Sequence, residues 1–145
     1  AYARDTVSNA QAFAEALASE GFDVLAESRG YTASHQVLTR HGELDSGAGA
    51  RAAKRLEEAG IITNMNMLPG DTKAMTPSGL RLGVQELTRV GFTNDDMQDV
   101  ARFYARVLLQ EEDTNHVRKD VQALKSERQT IRYCFNEEGH SGYPV

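Results

Sequence analysis

Arg81 sits between Leu80 and Leu82, and Gly79 and Gly83 bracket the three. In an extended strand, alternate side chains take opposite faces, so two buried leucines turn the arginine outward or into a cleft. A guanidinium placed there matches a carboxylate with two parallel hydrogen bonds. The flanking glycines permit close approach of backbone. On spacing alone, a solvated surface arginine is the simpler explanation. Upstream lie Asn64 and Asn66, which share one side if the chain is extended there. Their amides suit a ring or a peptide-like ligand, but turn formers ahead of Pro69 are the simpler explanation.

Other chemistries find less support. His35, His41, His116 and His140 show no metal-ligand spacing, and Cys134 has no partner cysteine, so no metal site is expected. His35 opens an extended stretch and either lines a cleft or simply starts a strand. No nucleophilic triad and no glycine-rich phosphate loop is present, and Gly47-Ala48-Gly49 reads as a helix start. A lysine that forms a Schiff base needs a desolvated or electropositive pocket. Lys54, Lys119 and Lys125 lie on charged helical stretches and Lys73 in a loop. The clusters Glu111-Glu112-Asp113 and Glu137-Glu138 read as solvated charge. No residue is assigned a catalytic role.

The chain has 145 residues, a length that suits one domain with a real core. A net charge of -5 without a basic stripe argues against nucleic acid as a partner. No apolar run approaches the roughly 20 residues that span a bilayer, so no membrane partner is expected. The first twenty residues are polar and periodic rather than a signal peptide. One cysteine and no leader point to a reducing, cytoplasmic setting. The chain opens Ala1-Tyr2 without Met, which reads as a fragment or a processed product.

Periodicity supplies the elements. Val7, Ala10, Phe13, Ala14 and Leu17 predict a helix over 5–20, stopped by Gly21. Strands are expected at 22–25 and 35–39, with Gly30 in the turn between them. Asp45 or Ser46 is expected to cap a helix carrying Ala48, Ala52, Leu56 and Ala59, with Gly60 past its end. A short strand over 61–63, a loop over 64–78 and a strand over 80–83 follow. Thr93-Asn94-Asp95-Asp96 is a capping-box variant that opens a helix with Met97, Val100, Ala101, Tyr104, Val107 and Leu108 inward. Another helix is expected over about 115–128 and a final strand over 131–135. This order predicts an α+β fold: a small, mostly antiparallel sheet with helices on one face and the other face free. Residues 1–135 form the domain and 136–145 a polar tail.

Several blocks together resemble one family, serine hydroxymethyltransferase, from about Val7 to Leu108. They are Gly21-Phe22-Asp23-Val24, Ser34-His35-Gln36-Val37-Leu38, and Ala59-Gly60-Ile61-Ile62-Thr63-Asn64-Met65-Asn66. Ser78-Gly79-Leu80-Arg81-Leu82-Gly83 and Leu87-Thr88-Arg89-Val90-Gly91-Phe92 complete the pattern. The resemblance implies the C-terminal small domain of a fold-type I pyridoxal-phosphate enzyme. It implies that Arg81 holds the α-carboxylate of serine or glycine and that Asn66 lies near the pterin of the one-carbon carrier. Departures from the common pattern are Val84-Gln85-Glu86 in place of Thr-Pro-Ala, Met65 in place of Lys, and a loop one residue shorter before Arg81. They are similar to the archaeal branch.

The activity so implied is transfer of a one-carbon unit between serine or glycine and a tetrahydrofolate-like pterin, as a transferase of one-carbon metabolism. The pyridoxal phosphate lysine and phosphate site would lie on a large domain or subunit, either fused or split, within a homo- or hetero-oligomer. The isolated chain would then be inactive. Alternatives are a pyridoxal-phosphate-dependent aldolase or transaldolase on β-hydroxy amino acids, or a non-catalytic interaction module that kept the fold.

Overall fold

The computed structural model describes residues 1–133. Helix α1 (Tyr2–Glu20) begins three residues earlier than periodicity suggests. Its Ala10, Phe13, Ala14 and Leu17 are each at most 2% exposed. Gly21 closes it in the left-handed region at φ 103°, where a side chain would be strained. Strand β1 (Asp23–Val24) and a single 3-10 turn at Glu27–Arg29 lead to β2 (Gln36–Arg40). Helix α2 (Ala48–Glu58) follows, then β3 (Asn64–Asn66) and β4 (Gly79–Gly83). Three helices close the described chain: α3 (Gln85–Arg89), α4 (Asn94–Leu108) and α5 (Thr114–Ser126).

The four strands form one antiparallel sheet in the order β1-β2-β4-β3. Val24, Val37, Thr39, Leu80 and Leu82 are buried on one face, under the helices. They join Phe13, Leu17, Leu56, Met97, Ala101, Val107 and Val117 in a continuous core. The opposite face carries Asp23, Gln36, Leu38, Arg40, Asn64, Asn66 and Arg81, none of them buried. The α+β class and the one-sided helical layer are therefore as expected from the sequence.

Local polar contacts fix how the helices meet the sheet. Asn9 of α1 is 4% exposed, and its Nδ2 donates to Thr88 Oγ1 at 3.0 Å and to the Phe92 carbonyl at 2.9 Å. This ties α1 to the α3 segment. The capping box of α4 is present: Thr93 N and Oγ1 donate to Asp96 at 2.7 and 2.9 Å. Arg128 adds a 2.7 Å ion pair to the same carboxylate. The Arg128 guanidinium and the Thr93 donors overcome burial and hold the Asp96 carboxyl below its usual range.

Several expectations are corrected. The strand expected at 61–63 lies at Asn64–Asn66. The backbone leaves α2 by a bond from Ile61 N to the Leu56 carbonyl, and Ile62 stays 88% exposed. Ladder pairing starts only where Arg81 can face Asn64. The connecting loop thus shortens to 67–78, and both asparagines are strand rather than turn residues. Neither Asp45 nor Ser46 caps α2: Gly47, at φ 71°, occupies that position. Helix α3 falls in a stretch to which periodicity assigns no element. Glu112 is not merely solvated, since it takes both Arg106 Nε and Nη2 at 2.7 Å. Asp113 caps α5 by accepting from the backbone N–H groups of Asn115 and His116. Residues 131–133 form no strand. The rest of that expected strand, Cys134 and the 136–145 tail lie outside the described residues.

Two expectations for stability follow. A Cβ added at Gly49 would strike the backbone carbonyl of Gly79, which cannot move aside as a flexible side chain would. Gly49→Ala should gain about 1 kcal/mol of helix propensity yet lose about 1–3 kcal/mol to overpacking. A lower urea midpoint is expected; an unchanged or higher one would contradict the close packing of α2 on β4. His41 packs against Phe22, and its Nε2 lies 2.8 Å from Thr39 Oγ1. Burial lowers its pKa from 6.5 to about 4, against a small opposing pull from Asp23. Between those values the unfolded chain binds the extra proton, so stability should fall as pH drops through that window, by up to about 3 kcal/mol. His41→Asn should flatten this part of the pH–stability curve; an identical slope in the variant would exclude His41 as its source.

Candidate functional site

The register of the sheet assembles the candidate site. Arg81 pairs with Asn64 on β3 and with Leu38 on β2. Directly opposed residues share a face in an antiparallel ladder, so Arg81, Asn64 and Leu38 form one row on the open side. Asn66, two residues along β3, falls on the same face opposite Gly79. The three residues singled out in the sequence thus share one surface, on the side away from the helices.

Arg81 is exposed and makes no hydrogen bond or ion pair among the described residues. Nearby cations differ: Arg40 pairs with Asp23 at 3.5 Å on the same face. A guanidinium left with all its donors and no counter-ion is suited to an external anion. It lines a cleft of about 240 Å³ with His35, Gln36, Asn64, Gln85 and Tyr104. At roughly 30 Å³ per water molecule, that is room for about eight waters or a small amino acid. Asn66 is not in this cleft, and its Nδ2 donates to the Met67 carbonyl at 2.6 Å, which leaves its side-chain oxygen free of that bond.

One lining residue, Tyr104, was not legible in the sequence as part of a site. Tyr104 fits the helical spacing of core residues, and its ring does pack edge-on against Phe13, centroids 5.4 Å apart. It is 5% exposed, yet its hydroxyl makes no hydrogen bond among the described residues. Burial pushes its pKa far up, so it remains a protonated donor. Thr63 Oγ1, on another wall of the cleft, is buried and also unpartnered. His35, read as a cleft or strand-edge residue, does line the cleft. No lysine does, and no group of three or more His, Cys, Asp or Glu among the described residues is placed to hold a metal. No helix among them is long and apolar enough to cross a membrane.

Because the Tyr104 hydroxyl has no partner among the described residues, Tyr104→Phe strands nothing. Its unfolding free energy should change by less than about 0.5 kcal/mol. A loss above about 1 kcal/mol in chemical denaturation would mean that the hydroxyl is bonded in solution.

Known proteins resemble this chain in sequence and fold. The serine hydroxymethyltransferase family model matches residues 1–104. Serine hydroxymethyltransferase from Thermococcus gammatolerans is 53% identical over 137 residues, covering 93% of this chain and 32% of that protein. The Methanopyrus kandleri protein of the same name is 48% identical over 136 residues, covering 92% of this chain and 31% of its own length. Among solved structures, L-threonine transaldolase from Pseudomonas fluorescens superimposes with a TM-score of 0.77 at 32% identity. That match covers 88% of this chain and 28% of the transaldolase. The chain spans about a third of the length of the curated relatives it matches. With 104 consecutive residues matched by the family model, this chain belongs to the serine hydroxymethyltransferase family.

Proposed function

We propose that this chain is the small-domain portion, C-terminal in type, of a pyridoxal-phosphate-dependent serine hydroxymethyltransferase. It would transfer a one-carbon unit between serine or glycine and a tetrahydrofolate-like pterin. The observation that carries the reading is Arg81: an exposed guanidinium without a partner among the described residues, beside Asn64, in a cleft the size of a small amino acid. Arg81 binds the α-carboxylate and orients the amino acid, so that the bond to be broken is presented correctly. Asn66, further along the same face, is the pterin-proximal residue.

The donor set fits the substrate rather than the cofactor. With Arg81 the sole Lys or Arg in the cleft, a phosphate dianion and a Schiff-base lysine are not provided for. Pyridoxal phosphate, when bound, supplies an electron sink for negative charge at the substrate Cα. Its lysine and phosphate site come from a large domain or subunit, which is the principal partner, in a cytoplasmic homo- or hetero-oligomer. The structural likeness to an L-threonine transaldolase supports a second reading, a transaldolase or aldolase on β-hydroxy amino acids. That enzyme would use Arg81 in the same way without the pterin. Turnover of serine that requires a pterin distinguishes the two.

In the complete enzyme, Arg81→Ala should lower kcat/KM for serine at least tenfold, as expected for a charge-assisted contact of about 1.5–3 kcal/mol. Arg81→Lys should recover little, because a point charge cannot copy the planar fork. Far-UV circular dichroism and the unfolding midpoint should hardly change. If Arg81→Ala unfolds the protein while its folded fraction keeps full activity, Arg81 is structural and the assignment is wrong.

A further inference from the structure

The site depends on β3 lying in one register against β4, and β3 is poorly held by burial. It pairs with β4 over only three positions and has no neighbouring strand on its other side among the described residues. Met65, its single residue on the helical side, remains 46% exposed. Burial fixes register where one face is buried and specifies it weakly where neither is. A slip by one residue would expose little new apolar surface, yet it would turn Asn64 and Asn66 away from Arg81.

What closes the β3–β4 connection is one carboxylate. Asp71 Oδ2 accepts from Leu68 N at 2.8 Å, Ser78 N at 3.0 Å and Ser78 Oγ at 2.8 Å. Leu68 is the second residue after β3, and Ser78 the residue before β4. Asp71 therefore joins both ends of the 67–78 loop at its neck. Its Oδ1 accepts from Asp45 N at 2.6 Å. Asp45 in turn accepts from Thr72 N, Thr72 Oγ1 and Lys73 N at 2.6–2.8 Å. The two aspartates interlock the loop before α2 with the loop before β4. The clamp also seats Leu68, 3% exposed, over Gly79, where an added Cβ would clash with its side chain.

We propose that Asp71 is a positioning residue for the amino-acid site: by closing the loop neck it sets the register that puts Asn64 and Asn66 on the face of Arg81. The proposal rests on the reading of Arg81 as the carboxylate ligand, and nothing requires Asp71 to touch substrate. Desolvation opposes ionisation of Asp71, but the converging donors from Leu68, Asp45 and Ser78 hold its carboxyl well below the usual range. The clamp is therefore charged throughout the working pH range. Asp71→Asn keeps the shape but points an amide donor at groups that are themselves donors.

The experiment has two arms, both on the full-length protein containing this region. In the first, hydrogen exchange at the amides of 64–66 should be at least tenfold faster in Asp71→Asn, with α1 and α4 unchanged. In the second, calorimetric titration with glycine should show affinity about tenfold weaker for Asp71→Asn. On an Arg81→Ala background, the same change should cost less than twofold, because the asparagines that the clamp places act together with Arg81 on the same ligand. Ser78→Ala, which removes one bond to Asp71 Oδ2, should move both readouts in the same direction but less, and it decides the matter if Asp71→Asn does not fold. Unchanged exchange at 64–66 overturns the register claim. Faster exchange with unchanged glycine affinity, or with full additivity to Arg81→Ala, reduces Asp71 to a structural residue. If Arg81→Ala leaves glycine affinity intact, the carboxylate reading fails, and the exchange arm alone decides the register.

Discussion

The open face of this sheet is determined by where Leu80 and Leu82 go. Both are at most 2% exposed, beneath the helices. Fully burying a leucine side chain is worth about 1.5–3 kcal/mol, so moving both to the solvent side would cost several. Side chains alternate with a period of two, and Arg81 therefore has no choice of face. Val37 and Thr39 on β2, buried on the same side, lock the partner strand in phase. The candidate chemistry is thus a by-product of core formation. The leucines point the arginine outward, and α2 can press on the strand backbone at Gly79 because Gly49 brings no side chain.

That logic explains which parts of the molecule could be read from one dimension. Wherever burial imposes a period, the sequence displays it: Ala10, Phe13, Ala14 and Leu17 on α1, Leu80 and Leu82 on β4, and Met97, Ala101 and Tyr104 on α4. Local polar signatures such as Thr93 to Asp96 are equally visible, since both partners lie within one turn. The position of β3 was not visible, because its residues are half-exposed and its place is set by β4 and a distant aspartate. Ile61 and Ile62 have the composition of a strand, but the ladder lies three residues later. Asp45 has the composition of a helix cap, but its carboxylate is taken by Thr72 and Lys73. Asp45 was misread because its partners lie 27 and 28 residues away, whereas the Asp113 cap of α5 is local and was simply overlooked.

The segment beyond Leu108 has the opposite character to the site. Arg106 bonds Glu112 and also Asp120, and His116 lies 3.0 Å from Glu112. These contacts fold the chain back at the α4–α5 corner, where Glu111 takes a positive φ of 53°. Val117 is then fully buried. Arg55 of α2 donates to the Val107 carbonyl at 2.8 Å, satisfying one of the last backbone acceptors of α4. Helix α5 thus buttresses α2 from behind the sheet. Its His116 and Asp120 serve this corner. Tyr104 crosses between the two roles, with its ring in the core and a place in the cleft lining.

The distribution of sulfur around β3 has a practical consequence. Met65, Met67 and Met75 are 46%, 38% and 81% exposed, whereas Met97 is fully buried in the core. Thioether oxidation follows solvent access and makes a flexible apolar side chain polar. The chain therefore carries its own oxidation gauge, with three sensors around the edge strand and its loop and one reference inside. Mild peroxide should convert the outer three first, and any polypeptide lying over the β3 edge should slow them selectively. Oxidation of Met97 at the same rate would instead report that the core itself had opened.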